Sequence, residues 1–327
     1  MAPHRLAVVG AGAVGRSVAT LAGEYGHTVV GIADSTSALV ANGRSSKSPG
    51  VDVASALERK EMGDALGPAA PEAVFETDYD ILIEATPTTL ADAEPGFSHT
   101  RRALESDRHV VLANKGPVAE RYDELQSLAR ESDGNVRFEA TVGGAIPVLS
   151  TIEDVTPAAV EAVRGVLNGT ANFILTRMAA EGLGYEHVLA EAQDLGVAEA
   201  DPTFDVDGTD AALKGVILAN VLADGGFSLA DAEVTGIQDV PPSALELAAE
   251  DAQTIRLVAD ATRKTVRVGP RLVPENGPLS VSGTRNIVQI ETTNAGSLHN
   301  SGRGAGGPET ATAVLADVGR LPPTGNR

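Results

Sequence analysis

The chain has 327 residues, 43% of them hydrophobic, 21% charged and only 3% aromatic, which suits a folded protein of two domains and argues against wholesale disorder. Its 45 acidic residues face 25 basic ones, a formal charge of −20, and so negative a field repels phosphate backbones and excludes DNA and RNA as partners. With no Cys it excludes disulfides, thiolate metal sites and thiol nucleophiles, and no apolar run approaches the ~20 residues that span a bilayer.

The first 140 or so residues alternate short β-like runs (6–9, 28–33, 81–84, 109–113 and 136–139) with helical stretches (16–24, 99–106 and 121–131). Such alternation predicts an α/β fold, a Rossmann-type doubly wound parallel sheet with helices on both faces. A strand starts almost at once, leaving no room for a signal peptide, so a cytoplasmic location is expected. Residues 41–73, rich in Gly, Ser, Pro and charge, read mostly as loop with one helix at 54–61. From residue 142 the pattern changes. A strand at 162–167 precedes helices at 171–180, 185–195, 210–222 and 244–249, with short strands at 254–259, 265–268 and 287–291. This is a mixed α+β second domain. A Gly-rich stretch at 301–307 then leads to a last helix at 309–318.

Gly10-Ala11-Gly12-Ala13-Val14-Gly15 follows an apolar strand and opens a helix. The first Gly allows the tight turn, the second admits a pyrophosphate to the backbone, and the third lets helix and strand pack closely. Asp34 closes the second strand, where a carboxylate accepts the adenosine ribose hydroxyls and favours NAD. Arg44 and Lys47 on the following loop are either solvated charges or partners for the 2′-phosphate of NADP, so NAD and NADP both stay open.

Beyond this fingerprint, several segments resemble the homoserine dehydrogenase family and together cover nearly the whole chain. They are Glu84-Ala85-Thr86-Pro87, Ala113-Asn114-Lys115-Gly116-Pro117, residues 139–147, residues 165–172 and the ending Gly304-Ala305-Gly306 with Thr310-Ala311. Most specific is the run from Gly196 through Glu199-Ala200-Asp201-Pro202 and Asp205-Val206-Asp207-Gly208 to Lys214. The resemblance implies domains at 1–141 (dinucleotide-binding, with a C-terminal helix within 303–327 returning to it) and 142–302 (catalytic and dimerisation). It implies a homodimer. It also implies hydride transfer between NAD or NADP and the carbonyl carbon of L-aspartate 4-semialdehyde, giving L-homoserine. Neither a fused aspartate kinase nor a C-terminal ACT regulatory domain is expected, so threonine feedback through such a domain is not expected either.

That step needs a proton donor near the carbonyl oxygen, an anchor for the ammonium and contacts for the carboxylate. Asp210 and Lys214 are spaced i, i+4 and share one face of a predicted helix. Out of context this is a surface ion pair, but the helix is otherwise apolar, and a lysine drawn out of water can serve as a general acid. Lys214 is therefore assigned as proton donor and acceptor, with Asp210 orienting it. The resemblance adds Lys115 as a second essential lysine near the nicotinamide, Glu199 as the ammonium ligand, and Gly169 and Thr170 in the substrate loop. Asp205 is either a substrate-site carboxylate or else a loop cap or solvated acid. Gly10, Gly12, Ala13, Val14, Gly15, Asp34, Thr86, Lys115 and Gly306 form the implied cofactor set. Residues 139–146 resemble the family's loop for a monovalent cation, Na⁺ or K⁺, held by the Glu139 carboxylate and the carbonyls of Val142, Gly144 and Ile146. Read without the resemblance, that segment is a Gly-rich interdomain hinge.

Rival readings are separable. Aldehyde oxidation through an acyl-enzyme uses a thiolate nucleophile, which this chain lacks. Aspartate dehydrogenase would turn over ammonia and oxaloacetate. A non-catalytic NAD(H) sensor would leave Glu199, Asp210 and Lys214 without purpose.

The acidic residues are spread along the chain, and only five residues are Lys: Lys47, Lys60, Lys115, Lys214 and Lys264. Together these features point to a halophilic protein kept soluble by surface carboxylates, whose mutual repulsion concentrated salt screens to within a few ångströms. Activity and the thermal midpoint are therefore expected to rise between low ionic strength and molar KCl. Equal activity in both would refute halophilicity.

Overall fold

The computed structural model describes residues 3–41 and 50–323, so Arg44 and Lys47 lie outside the described residues. The chain divides into two units, Met1–Ala145 with Gly306–Arg327, and Ile146–Ala305.

In the first unit β1 (Arg5–Val9), α1 (Ala13–Leu21), β2 (Thr28–Ala33), β3 (Ala38–Val40), α2 (Val53–Glu61), β4 (Ile81–Glu84), α3 (Gly96–Leu104), β5 (His109–Leu112), α4 (Gly116–Glu120), α5 (Tyr122–Arg130), β6 (Val136–Arg137) and α6 (Ala140–Gly143) follow in order. The strands stand side by side as β3-β2-β1-β4-β5-β6. All pairs are parallel except β3, which runs antiparallel to β2. The runs Ile81-Leu82-Ile83 and Val110-Val111-Leu112 are wholly buried, as strands covered on both faces must be.

Several boundaries differ from expectation for local reasons. α1 begins three residues early because Gly12 supplies the helix entry. The strand expected at 136–139 stops at Arg137, because Glu139 leads into the helical turn α6. Asp52 caps α2 by accepting from the Ser55 N–H at 3.2 Å, and a 3₁₀ turn, Pro71–Glu76, ends the segment read mostly as loop.

The second unit holds α7 (Leu149–Val155), β7 (Val160–Val166), α8 (Gly169–Glu181), α9 (Tyr185–Asp194), α10 (Thr203–Val206), α11 (Thr209–Ala223), β8 (Ala232–Val234), α12 (Pro242–Glu250), β9 (Gln253–Ala261), β10 (Val266–Pro274), β11 (Arg285–Thr292) and β12 (Gly296–Arg303). Its sheet runs β12-β11-β7-β9-β10-β8, antiparallel throughout except for β8 beside β10. β12 takes in the start of the Gly-rich stretch that leads to the last helix: Ser301, Gly302 and Arg303 pair with β11. α13 (Gly307–Arg320) belongs to the first unit, where Ala311, Val314 and Val318 join Val18, Ala19 and Ala22 in one apolar cluster.

Three histidines sit buried at the N-terminal edge of the parallel sheet: His4 before β1, His27 before β2 and His109 at the start of β5. His27 Nδ1 accepts the His4 N–H at 3.3 Å, and His109 Nδ1 accepts the Asn135 N–H at 2.9 Å, so both are placed as neutral rings. Burial lowers all three below their ordinary 6.5, the His4 charge lowers His27 and His109 further, and Asp80 opposes this at His4 and His109. Below pH 6.5 the unfolded chain therefore binds protons that the folded chain resists. This contribution to stability is whole above that pH and is lost as the pH falls below it. Urea midpoints are expected to drop between pH 7.5 and 5, with a shallower drop in His109→Gln; equal slopes for the two proteins would refute the assignment.

Candidate functional site

β1, β2 and β4 end together. The Gly10 N–H donates to the Ala33 carbonyl at 2.9 Å, and the Ala85 N–H to the Val9 carbonyl at 2.8 Å. The strand order reverses at β1, and a cleft of roughly 1060 Å³ opens at these C-terminal ends, lined by Gly10, Gly12, Ala13, Val14, Asp34 and Thr86 among others. That is where an open α/β sheet binds its ligand. Gly10, at φ +99°, has no room for a side chain, since a Cβ would lie 2.3 Å from the Ala85 carbonyl oxygen. Nothing crowds Gly12, so the approach to the start of α1 is open. The first turn of α1 carries no acidic residue and no side-chain cap, which leaves its N–H groups and positive dipole end to an anion. Gly15 is buried behind the turn, where a Cβ would strike the Gly10 carbonyl, so its part is packing.

The end of the cleft beside β2 is built around Asp34. Its Oδ1 accepts the N–H groups of Thr36 (2.8 Å) and Ser37 (2.9 Å) and the Thr36 hydroxyl, while the Lys60 ammonium pairs with Oδ2. Burial opposes the charge, but Lys60 and these donors outweigh it and hold the carboxyl well below the usual carboxylate range. Lys60 lines the same cleft. It lies 26 residues from Asp34, in a segment without a motif, and sequence reasoning missed it.

In the second unit, Asn168 caps α8 by accepting the Ala171 N–H at 2.8 Å. Its amide donates to Asp205 at 2.7 Å and to Asp210 at 3.0 Å. The Lys214 ammonium donates to Asp210 Oδ2 and to the Leu167 carbonyl, each at 2.6 Å, and the Asn286 amide reaches that carbonyl at 2.9 Å. Asp210 and Lys214 are each only 7% exposed, so this is not a surface ion pair. Asp205 accepts from Asn168, while Asp207 accepts the N–H and hydroxyl of Thr209 just ahead of α11.

Asp205, Asp210, Lys214, Gly169 and Thr170 are thus brought together at the start of α8 and α11. Thr170 also donates to the Val197 carbonyl at 3.2 Å, which ties it to the loop bearing Glu199, itself exposed. Asn168 and Asn286 were not foreseen. Lys115 stands at the N-cap position of α4 in the first unit without a side-chain cap, and neither it nor Gly306 is among the residues lining the cleft.

Glu139 is buried. Its N–H donates to Asp317 at 2.8 Å, and Arg320 stands 4.0 Å from its carboxylate. Burial pushes the Asp317 carboxyl up to about 6, opposed by that N–H and reinforced by the Glu139 charge. Among the described residues no group of three or more His, Cys, Asp and Glu side chains could hold a metal ion. The buried Glu139 carboxylate is an oxygen donor of the kind a hard cation takes.

Residues 147–318 match the sequence model of the family described as homoserine dehydrogenase, and residues 10–139 match the model of its NAD binding domain. A homoserine dehydrogenase of Methanocaldococcus jannaschii is 37% identical, over 95% of this chain and 96% of its own. An NAD(+)-dependent homoserine dehydrogenase of Pseudomonas canavaninivorans is also 37% identical, over 97% and 96%. A solved Archaeoglobus fulgidus protein assigned to the same family superimposes with a TM-score of 0.87 at 40% identity, covering 96% of this chain and 98% of that one. A hyperthermophilic archaeal homoserine dehydrogenase in complex with NADPH superimposes with a TM-score of 0.82 at 28% identity, covering 98% and 97%.

Lys60 brings a positive charge into the cleft beside Asp34, the residue expected at the adenosine ribose, and a charge there favours a phosphate. Lys60→Met is expected to weaken NADP(H) binding by about tenfold, the worth of one charge-assisted hydrogen bond, and to change NAD(H) binding less. Titrating both dinucleotides against the two proteins checks this, and equal losses would rule it out.

Proposed function

This chain belongs to the homoserine dehydrogenase family and is an NAD(P)-dependent oxidoreductase, and on that premise we propose that Lys214 is its proton donor and acceptor in the interconversion of L-homoserine and L-aspartate 4-semialdehyde. The observation that carries this is the buried cluster of Lys214, Asp210, Asn168 and the Leu167 carbonyl. An ammonium has three N–H donors. Two of them are engaged by Asp210 and Leu167, which fixes the direction of the third toward a substrate oxygen. Hydride arriving at the carbonyl carbon would leave charge on that oxygen, and a proton held at Nζ is what that charge requires.

Glu199 is the proposed partner of the substrate ammonium, with Asp205, Gly169 and Thr170 around it. Lys115 is proposed beside the nicotinamide, with Thr86 and Gly306 completing the cofactor set. When bound, the dinucleotide supplies or accepts the hydride. Asp34 favours NAD and Lys60 gives NADP a counter-charge, so both cofactors are expected to serve. The Glu139 carboxylate and the carbonyls of Val142, Gly144 and Ile146 are the proposed ligands of Na⁺ or K⁺. A homodimer formed through the second unit is what the likeness to the family leads us to expect. No helix among the described residues is long and apolar enough to cross a membrane.

The test is absorbance at 340 nm with L-homoserine and NAD⁺ or NADP⁺ in molar KCl. Wild type is expected to reduce the cofactor in a homoserine-dependent way, and Lys214→Ala to lose roughly 10²-fold or more of kcat, as removal of a general acid does. An Ala variant with wild-type turnover would overturn the role given to Lys214. Turnover of ammonia and oxaloacetate in place of homoserine would overturn the substrate.

A further inference from the structure

Glu84 ends β4 with no exposed surface, and nothing in the reaction described above uses it. The strand before it is Ile81-Leu82-Ile83. A carboxylate drawn out of water at such a position costs several kcal/mol unless donors and counter-charge surround it. Oε1 accepts the Thr86 N–H at 3.2 Å and the Thr86 hydroxyl, and lies 3.5 Å from His99 Nδ1 on α3. Oε2 is buried with no donor among the described residues. It faces Gly96, where a Cβ would approach it to 3.1 Å.

The chain of contacts continues. The Thr86 hydroxyl accepts from the Asn114 amide at 3.1 Å, and Asn114, itself 1% exposed, also donates to the Pro87 carbonyl at 3.3 Å. The Asn114 side-chain oxygen accepts the Gly116 N–H at 2.9 Å, and the Lys115 N–H donates to the Thr88 hydroxyl at 3.3 Å. One buried path thus joins the loop after β4 to the loop after β5. On its other side the loop after β4 packs on the phosphate turn, for a Cβ at Gly10 would lie 2.7 Å from the Thr86 nitrogen. Thr86 and His99 both line the cleft.

We propose that Glu84 is a positioning residue for the dinucleotide: through Thr86 and Asn114 it fixes the two loops at the ends of β4 and β5. The proposal rests on the cleft being the dinucleotide site. Holding these loops in place before the cofactor arrives removes an ordering cost from binding. The effect therefore falls on the dinucleotide and not on homoserine, whose proposed contacts lie in the second unit.

NADH binding is measured by fluorescence on the full chain for wild type, Glu84→Gln, Thr86→Val and the double variant, with steady-state kinetics and thermal midpoints alongside. Each single change is expected to raise Kd and KM for the dinucleotide by about tenfold, the worth of one lost buried hydrogen bond. KM for homoserine is expected to stay within about twofold, below a significant binding change. The double variant should be little worse than the weaker single, because both changes break the same path, and Thr86→Ser should restore most of what Thr86→Val loses. Thr86→Val keeps the test open if Glu84→Gln does not fold. Wild-type dinucleotide affinity in Thr86→Val, additive losses, or equal losses for both ligands together with a lowered midpoint would overturn the proposal while leaving the cleft assignment standing. A wild type that binds no dinucleotide would overturn both.

Discussion

The first unit is organised around three contacts, joining four pieces of chain, that leave no room for a methyl group. A Cβ on Gly15 would lie 1.8 Å from the Gly10 carbonyl oxygen, one on Gly10 would lie 2.3 Å from that of Ala85, and one on Gly307 would lie 2.8 Å from that of Ala13. β1, α1, the loop after β4 and the start of α13 are therefore held by backbone-to-backbone contact, which side-chain packing cannot imitate. The consequence is positional. The N-terminus of α1 is held at the mouth of the sheet, beside the strand where the order reverses, and a cleft suited to a phosphate-bearing ligand follows from sterics alone.

The second unit depends on a different constraint, a charge inside a core. Twelve of the fifteen residues of α11 are buried, Asp210 and Lys214 among them. A buried lysine without its carboxylate, or the reverse, would cost about 3–5 kcal/mol, so the pair must form for the helix to pack. Asn168 ties Asp210 to the cap of α8, and Asn286 on β11 shares the Leu167 carbonyl with Lys214. The groups able to move a proton are in this way the groups that fix helix against sheet. Their geometry is set by folding and does not wait for substrate, which is the preorganisation that catalysis by a fixed donor requires.

What was legible in the sequence divides along physical lines. The glycine turn, the apolar parallel strands and the i, i+4 pair on an apolar helix are local patterns with one structural solution, and each was readable before any fold was known. Three of the four edge strands, β3, β8 and β12, were not. β3 has three residues, too few to show a period, and β12 is Gly296–Arg303 with polar side chains along its length, so no hydrophobic alternation marks it. Partners distant in sequence were equally hidden. Asp34 was placed at the adenosine ribose from its position after β2, but that Lys60 would occupy its second oxygen depends on how α2 packs. Likewise Asp205 and Asp207 are equivalent acids on one loop until Asn168 takes the first and Thr209 the second.

The distribution of lysine connects these sites to the charge of −20. Surface acids are met mainly by arginines, as in Arg102–Glu76 and Arg267–Glu233, with side chains 43–72% exposed. Such pairs contribute at most about 1 kcal/mol each and weaken with salt. Of the five lysines, Lys60 and Lys214 are instead committed to carboxylates that are 13% and 10% exposed, and Lys115 opens α4. A partly buried pair is screened far less than an exposed one, because counter-ions cannot come between its members. Salt can therefore relax the repulsion of the outer carboxylates without loosening the ion pairs at either site. Lys214, with its side chain 8% exposed, is the clearest case: there protein groups have replaced the water of a compact, strongly hydrated ammonium, while the exposed pairs above join carboxylates to guanidinium groups.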